Sequence, residues 1–221
     1  MNYSDLKEKL QSLPEDDFLS KADLHIHSKY SDGALSPEEI VKITKEKNYK
    51  LISITDHNTV SGYLKTNVLR NDFVIPGIEF DCWHKGVLVH ILGYGIDIHN
   101  DHIKALCVRN KNCVKSFGLR FMFTTLSAKE AIKTIKEAGG VAVLAHPACY
   151  WAVSLETLFR ELKEIGLDGV ECYYIYIGFL KNLLKFHSEK LVIDLAEKYN
   201  FIKTGGSDNH STTFDFEKYT F

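Results

Sequence analysis

The chain has 221 residues, with 27 Lys and Arg against 29 Asp and Glu, so its formal net charge is −2. This balance gives no electrostatic basis for general binding to membrane surfaces, and no stable complex with nucleic acid is expected. Hydrophobic residues make up 45% and charged residues 25% of the chain, which is ordinary for a soluble globular protein. The length suits one compact domain or one barrel with a buried core.

The cysteine content and the apolar runs bear on the cellular location of the protein. The chain has five cysteines, an odd number, and no Cys-x-x-Cys pair. A disulfide framework or a cysteine-built zinc site is therefore not expected. The cysteine content instead favours a cytoplasmic location. The N-terminal 20 residues are polar and charged, without the apolar core of a signal peptide. The most apolar run, residues 170–184, is interrupted by polar residues and too short to span a bilayer.

In the first half of the sequence, residues 1–21 form a preface that is expected to be irregular or helical. Ser36-Pro37-Glu38-Glu39 predicts the start of a helix, with Ser as N-cap and Pro at the first helical position. After the preface, strands are predicted at 22–27 and 51–55 and helices at 36–47 and 59–69. Two further strands, at 73–80 and 87–94, are predicted to form a hairpin.

The second half begins with residues 98–126, an insertion with one predicted helix at 102–117. Helices are then predicted at 127–139, 154–165 and 188–199, and strands at 141–145, 169–173 and 201–204. Short apolar strands that alternate with helices are typical of an α/β fold with parallel strands. Six or seven such units predict a single barrel domain over residues 22–221, with its chemistry at the C-terminal ends of the strands.

Polar residues that can bind metal recur at the ends of these strands. His25 and His27 point to one face of the first strand, because side chains alternate along a strand. An isolated pair of this kind is more often two surface histidines, but here similar residues follow later strands as well. The full candidate set contains six histidines and three carboxylates: His25, His27, Asp32, His57, Glu79, His90, His146, Asp208 and His210. Imidazole with carboxylate suits zinc, iron or manganese, and nine donors suffice for two or three metal ions.

Six short motifs carry a family resemblance. They are Asp-Leu-His-Ile-His-Ser (23–28), Ser-Ile-Thr-Asp-His-Asn-Thr (53–59), Pro-Gly-Ile-Glu (76–79), His-Ile-Leu-Gly-Tyr (90–94), Ala-His-Pro (145–147) and Gly-Ser-Asp-Asn-His (206–210). In this order they resemble the motifs of the polymerase and histidinol phosphatase (PHP) domain family over residues 22–211. The resemblance implies a distorted, TIM-like (β/α)7 barrel. It also implies two to three divalent metal ions (Mn, Fe or Zn) and hydrolysis of phosphoesters.

The resemblance also implies how the nine residues divide. One metal would be held by His25, His27, Glu79 and Asp208. Glu79 would bridge to a second metal, held also by His90 and His146. A third would be held by Asp32, His57 and His210. The resemblance further implies that a hydroxide between the metals attacks phosphorus.

Residues around the centre have two possible roles each. Asp56 is expected to orient His57 or a neighbouring ligand. The acid for the leaving group stays open between His210 and a metal-bound water. Glu171 is either a supporting residue of the centre or part of a structural salt bridge. Three residues are candidates for binding the substrate, with a solvated helix face or core packing as the alternative: Arg109, Arg120 and Tyr173.

The resulting hypothesis is a hydrolase of phosphate esters. Its substrate would be a small phosphorylated metabolite, a nucleotide or a short oligonucleotide. The resemblance is strongest to small stand-alone phosphoesterases, which include nucleotide 3′-phosphatases and short-RNA 5′→3′ exonucleases. The insertion at 98–126 is shorter than is usual in that branch. Two alternatives are a phosphatase of the histidinol-phosphate type and a non-catalytic, metal-stabilised module.

Overall fold

The structure, a computed structural model, describes residues 2–110, 124–175 and 185–214. Seven strands form one sheet in chain order: β1 (Ala22–Ile26), β2 (Leu51–Ile54), β3 (Val74–His84), β4 (Val87–Tyr94), β5 (Val141–Leu144), β6 (Gly169–Tyr174) and β7 (Ile202–Gly206). A bridge between Ile26 and Asn209 brings the first and last strands together. The sheet is therefore a nearly closed barrel, and the predicted distorted seven-stranded α/β barrel is confirmed.

The barrel is distorted because β4 runs against its neighbours. β4 pairs antiparallel with both β3 and β5, whereas the other neighbouring pairs are parallel. Lys85 and Gly86 form the turn of the β3–β4 hairpin with φ of 46° and 85°, the left-handed geometry of a tight two-residue turn. The predicted strand 73–80 is too short, because the ladder continues to His84.

Helices surround the sheet. They are α1 (Tyr3–Gln11), α2 (Pro37–Glu46), α3 (Ser61–Leu64), α4 (Asp101–Arg109), α5 (Ala128–Glu137), α6 (Leu155–Glu164) and α7 (Glu189–Lys198). Ser36 and Glu39 form the expected capping box of α2, and Ser127, Ser154 and Ser188 cap three further helices. Within the described residues, none of the helices has the length and apolarity needed to cross a membrane.

Two helix predictions differ from the structure. The predicted helix 59–69 is wrong: only α3 and a 3-10 turn at Val68–Arg70 form there. The Tyr63 hydroxyl donates to the Ile54 carbonyl and accepts from the Ile54 and Gly77 amides. Tyr63 lies in α3, and its contact with β2 and β3 fixes this short helix against the sheet, so tertiary structure overrides local propensity. The helix predicted at 102–117 covers α4, and its part from residue 111 lies outside the described residues.

The predicted preface contains a packed helix. Leu6 and Leu10 of α1 are buried in the main hydrophobic core. The Tyr3 hydroxyl donates a hydrogen bond of 2.7 Å to Asp168, which precedes β6. The preface is therefore joined to the barrel by apolar burial and a polar contact.

Candidate metal centre

The nine predicted donors lie on or just after six strands of the barrel. His25 belongs to β1, and His27 and Asp32 follow it; His57 follows β2. Glu79 and His90 lie within the β3–β4 hairpin, His146 follows β5, and Asp208 and His210 follow β7. The barrel brings the nine side chains into four overlapping groups whose donor atoms lie within 4.8 Å of one another.

Glu79 lies in the middle of these groups, and its two oxygens face different histidines. Oε2 is 3.2 Å from Nε2 of each of His25, His27 and His57. Oε1 is 2.8 Å from His90 Nδ1 and 3.5 Å from His146 Nε2. A carboxylate with this division of contacts is suited to bridging two cations.

Asp208 completes the group on the Oε2 side. Its Oδ1 lies 3.5 Å from His25 Nε2 and 3.1 Å from His27 Nε2. The Tyr174 hydroxyl donates a hydrogen bond of 2.8 Å to the other oxygen, Oδ2. Oδ1 is thereby directed toward the histidines.

Asp32 and His210 form a further group with His27 and His57. Asp32 Oδ2 is 3.3 Å from His210 Nε2, and Asp32 Oδ1 is 3.7 Å from His27 Nδ1. The His27 ring stacks on the ring of His210 and on that of His57, with centroid distances of 4.1 and 4.5 Å. His57 thus belongs to two groups, since it also contacts Glu79.

The donor set fits a divalent cation. His25 Nε2, His27 Nε2 and Glu79 Oε2 are buried and have no hydrogen-bond partner among the described residues. Burying such atoms without a partner costs several kcal/mol in total, at about 1–3 kcal/mol each. A cation contacting all three would remove this cost, and imidazole with carboxylate is the donor chemistry of zinc, iron and manganese.

The electrostatics of the cluster favour ionised carboxylates. Burial alone would raise the pKa of Glu79, but His57, His25 and His90 outweigh it and hold that pKa well below its usual range. Burial alone would lower the pKa of His25, yet Glu171, Glu79 and Asp208 raise it well above its usual range. Burial lowers the pKa of His57 despite its two carboxylate neighbours. The centre therefore pairs ionised carboxylates with protonated imidazoles, and a cation can take the place of those protons.

The backbone is strained at two of the donors. His146 and Asp208 have φ of 24° and 51°, a left-handed conformation that costs a non-glycine residue about 1–3 kcal/mol.

Gly206 packs directly on β1, where an added Cβ would lie 2.3 Å from the Cβ of His25. Close packing thus constrains the position of His25.

Buried carboxylates outside the nine donors hold the donors in place. Glu171 lies 3.1 Å from His25 Nδ1 and accepts a hydrogen bond of 2.7 Å from the His146 amide. Of the two roles considered for Glu171, contact with the centre is the one observed. Asp23 accepts hydrogen bonds of 3.0 and 2.6 Å from the amide and hydroxyl of Ser207. These contacts join β1, β6 and the segment after β7.

Asp56, expected to orient His57 or a neighbouring donor, contacts the loop of two neighbouring donors. It accepts hydrogen bonds of 2.7 Å each from the Ser28 amide, the Ser28 hydroxyl and the Ser31 hydroxyl. It thereby holds the loop that carries His27 and Asp32, and in the described contacts it does not face His57.

Asp81, which the sequence reasoning missed, is the carboxylate that faces His57. Its Oδ1 lies 3.1 Å from His57 Nδ1 and 3.2 Å from His90 Nε2, and Asn58 Nδ2 donates a hydrogen bond of 2.6 Å to its Oδ2. The signal was present in the sequence, since residues 79 and 81 share a strand face once the strand extends beyond residue 80.

Comparison with known proteins identifies the family. The model of the PHP domain matches residues 23–202 of this chain. The chain belongs to the PHP family. One relative, the phosphoribosyl 1,2-cyclic phosphate 1,2-diphosphodiesterase of Eggerthella lenta, is 24% identical over 85% of this chain and 93% of its own length. The 5′-3′ exoribonuclease of Haemophilus influenzae is 31% identical over 68% of this chain and 78% of its own length.

A solved structure supports the fold of this PHP domain. An amidohydrolase from Chromobacterium violaceum, determined with bound sulfate and no metal, superimposes with a TM-score of 0.69. The match covers 86% of this chain and 88% of that chain at 20% identity. The likeness therefore concerns the barrel alone.

The three predicted substrate-binding residues of this PHP domain lie in different surroundings. Arg109 ends α4 and forms a two-point ion pair with Glu130 at 2.9 and 2.8 Å. Tyr173 is buried and stacks on Phe18 at 5.1 Å, which is the core packing named as its alternative. Arg120 lies outside the described residues. Their role in substrate binding stays a prediction.

Proposed function

We propose that this PHP domain hydrolyses the phosphate ester of a small phosphorylated metabolite, a nucleotide or a short oligonucleotide in a metal-dependent reaction. The observation that carries the proposal is Glu79, whose two oxygens face separate groups of histidines. Two cations bridged in this way would lower the pKa of a bound water and neutralise charge on the phosphate oxygens. The named activities of the relatives, a cyclic phosphodiesterase and an exoribonuclease, support the same reaction class.

The chain's own residues divide into three proposed sets. His25, His27 and Asp208 would hold a cation on the Oε2 side of Glu79, and His90 and His146 one on the Oε1 side. Asp32, His57 and His210 would hold a third, with the His27 ring stacked against the rings of His57 and His210. Cations in these positions would take the place of the protons that the raised pKa values of His25 and His27 imply.

His210 is our candidate for protonating the leaving group when the third site holds no metal, because an Nε2 bound to metal carries no proton. Its side chain is 31% exposed, the most exposed of the nine donors, and its Nδ1 lies 2.9 Å from the Asp208 carbonyl. An imidazole at the mouth of the site can both contact the ester oxygen and exchange its proton with solvent. If His210 instead serves only as a ligand, its loss should remove metal together with activity.

The test combines metal content with turnover. Protein purified without chelator or histidine tag should contain two to three equivalents of manganese, iron or zinc by plasma mass spectrometry. Nucleoside monophosphates, an activated phosphodiester and histidinol phosphate are then assayed with that metal. Glu79→Gln should lose metal and activity while staying folded. A matched control is Asp168→Asn, because Asp168 is also a buried carboxylate but contacts Tyr3 and Lys136.

Four outcomes distinguish the proposed function from its alternatives. Turnover of nucleotides or the phosphodiester supports the proposal, and turnover restricted to histidinol phosphate favours the histidinol-phosphatase alternative. A metal-loaded protein that hydrolyses none of these compounds, and that melts when metal is removed, would favour a metal-stabilised module. One equivalent of metal or none after reloading would contradict the bridged centre.

A further inference from the structure

A cavity of about 610 Å³ opens beside the metal centre on the side of the β3–β4 hairpin. His90 and His146 contribute to its lining, so the cavity is continuous with the centre. Trp83, Tyr150 and Trp151 contribute most of its aromatic surface. Its volume lies in the range of small-molecule pockets, which is about 300–1,000 Å³.

The lining selects for an uncharged, planar group. Among the described residues, no Asp, Glu, Lys or Arg lines the cavity. A charged group placed there would lose hydration without gaining an ion pair. Indole and phenol rings instead offer flat faces on which a base or another aromatic ring can stack.

Trp151 is unusual because it is exposed. Its side chain is 86% exposed and stacks on Phe186, with 6.2 Å between ring centroids and 11° between planes. Val153, beside it, is also fully exposed. A tryptophan held flat at the rim of a pocket is suited to covering a ligand rather than to filling the core.

Tyr150 ties this pocket to the metal centre. Its hydroxyl donates a hydrogen bond of 2.7 Å to the Ala145 carbonyl and accepts one of 2.9 Å from the His90 amide. The tyrosine ring is 5.7 Å from the ring of His146. The wall of the pocket and two donors therefore share one hydrogen-bonded unit.

We propose that this pocket binds the base of a nucleotide whose phosphate ester lies against His90 and His146. The inference rests on the proposed function and adds a substrate class to it. It requires that a nucleotide be preferred to a sugar phosphate of similar charge, because only the nucleotide fills the aromatic pocket. Trp151 would stack on the base, and Trp83 would form the wall nearest the hairpin turn.

Intrinsic fluorescence tests this proposal directly, because the chain has only 2 tryptophans and both line the pocket. Metal-loaded protein is titrated with adenosine, which carries no phosphate, and separately with ribose. Excitation at the red edge of the indole band avoids absorption by the base. We expect saturable quenching by adenosine and none by ribose. Trp151→Ala should weaken adenosine binding by about tenfold, as loss of one base–aromatic stack does.

Two variants control for non-specific effects. Trp151→Phe keeps an aromatic face and should retain most of the adenosine affinity, measured through Trp83. Val153→Ala changes a neighbouring exposed side chain that the pocket does not use, and should bind as the unaltered protein does. Equal quenching by ribose, or adenosine affinity unchanged in Trp151→Ala, would overturn the proposal.

The phosphoesterase proposal and the base-pocket proposal fail separately. Adenosine has no ester to hydrolyse, so its binding does not depend on turnover. Hydrolysis of ribose 5-phosphate as efficient as that of adenosine 5′-phosphate, measured as kcat/KM, would leave a phosphoesterase without a base pocket. Adenosine binding without turnover of any ester would leave the pocket and remove the proposed reaction.

Discussion

Asp81 provides the sharpest test of how the centre is organised. Two imidazoles lie between Asp81 and Glu79. His57 faces Asp81 with Nδ1 and Glu79 with Nε2, whereas His90 faces Asp81 with Nε2 and Glu79 with Nδ1. If the nitrogens facing Glu79 bind metal, the opposite nitrogens carry the protons and face Asp81 Oδ1. Asp81→Asn would then disturb the orientation and tautomer of donors from two of the proposed sites.

The neighbouring Asn58 determines the size of this effect. Its Nδ2 donates a hydrogen bond of 2.6 Å to Asp81 Oδ2. An asparagine at residue 81 would therefore keep its carbonyl oxygen facing Asn58. The new amide NH₂ would then point at the two imidazoles and oppose their N–H groups. Loss of one such supporting carboxylate costs about 10–100-fold in metal affinity. Because one oxygen serves two rings here, we expect the upper end, about 100-fold or 2.7 kcal/mol.

The measurement is competition for manganese or zinc with a chromophoric chelator, with thermal unfolding followed in parallel. Asp168→Asn is the matched control, because it removes a buried carboxylate charge away from the centre and should leave metal affinity unchanged. Metal affinity of Asp81→Asn equal to that of the unaltered protein would refute the reasoning. So would a crystal structure with metal bound directly to Asp81, since that would make it a ligand.

Three further predictions follow from the structure. Gly206→Ala would place a Cβ 2.3 Å from the Cβ of His25, so we expect about 1–3 kcal/mol loss in the free energy of unfolding by urea; an unchanged midpoint would contradict this packing. Burial alone would lower the pKa of His27, but contacts with Asp208 and Glu79 raise that pKa to about 9. Below that pH the His27 proton competes with metal, so the metal affinity should rise with pH up to about 9. Calorimetry in different buffers should detect proton release on metal binding, and a metal affinity independent of pH would contradict this linkage. Arg109→Ala breaks an exposed ion pair with Glu130, so stability should fall by no more than about 1 kcal/mol; a large rise in KM would instead support the predicted substrate contact.

The barrel and the nine candidate donors follow from the sequence for a physical reason. Parallel strands of a barrel end at one rim, so polar residues placed after successive apolar runs converge there. His27, His57, His146 and Asp208 follow this rule, and each is recognisable from a short motif. The order of the motifs then restricts the chain to one family.

Features that depend on tertiary contacts could not be predicted in the same way. The sequence predicts one helix over residues 59–69, but the Tyr63 hydroxyl bonds to β2 and β3, and only the short helix α3 and a 3-10 turn form. Arg109 suggested a phosphate contact, yet Glu130 lies within reach only because α4 and α5 pack together. Asp81 was missed because the end of a strand cannot be located to the residue from apolar pattern alone.

The hairpin explains why the centre and the adjoining pocket form together. In the β3–β4 register Asp81 lies opposite His90, and Trp83 lies opposite Leu88. Glu79, Asp81 and Trp83 therefore share one face, in order from the barrel interior toward the turn, with His90 beside them. A shift of β3 by one residue would turn its Glu79, Asp81 and Trp83 side chains to the opposite face. The left-handed turn at Lys85 and Gly86 that sets this register thus positions the bridging carboxylate, its supporting carboxylate and the wall of the proposed base pocket at once.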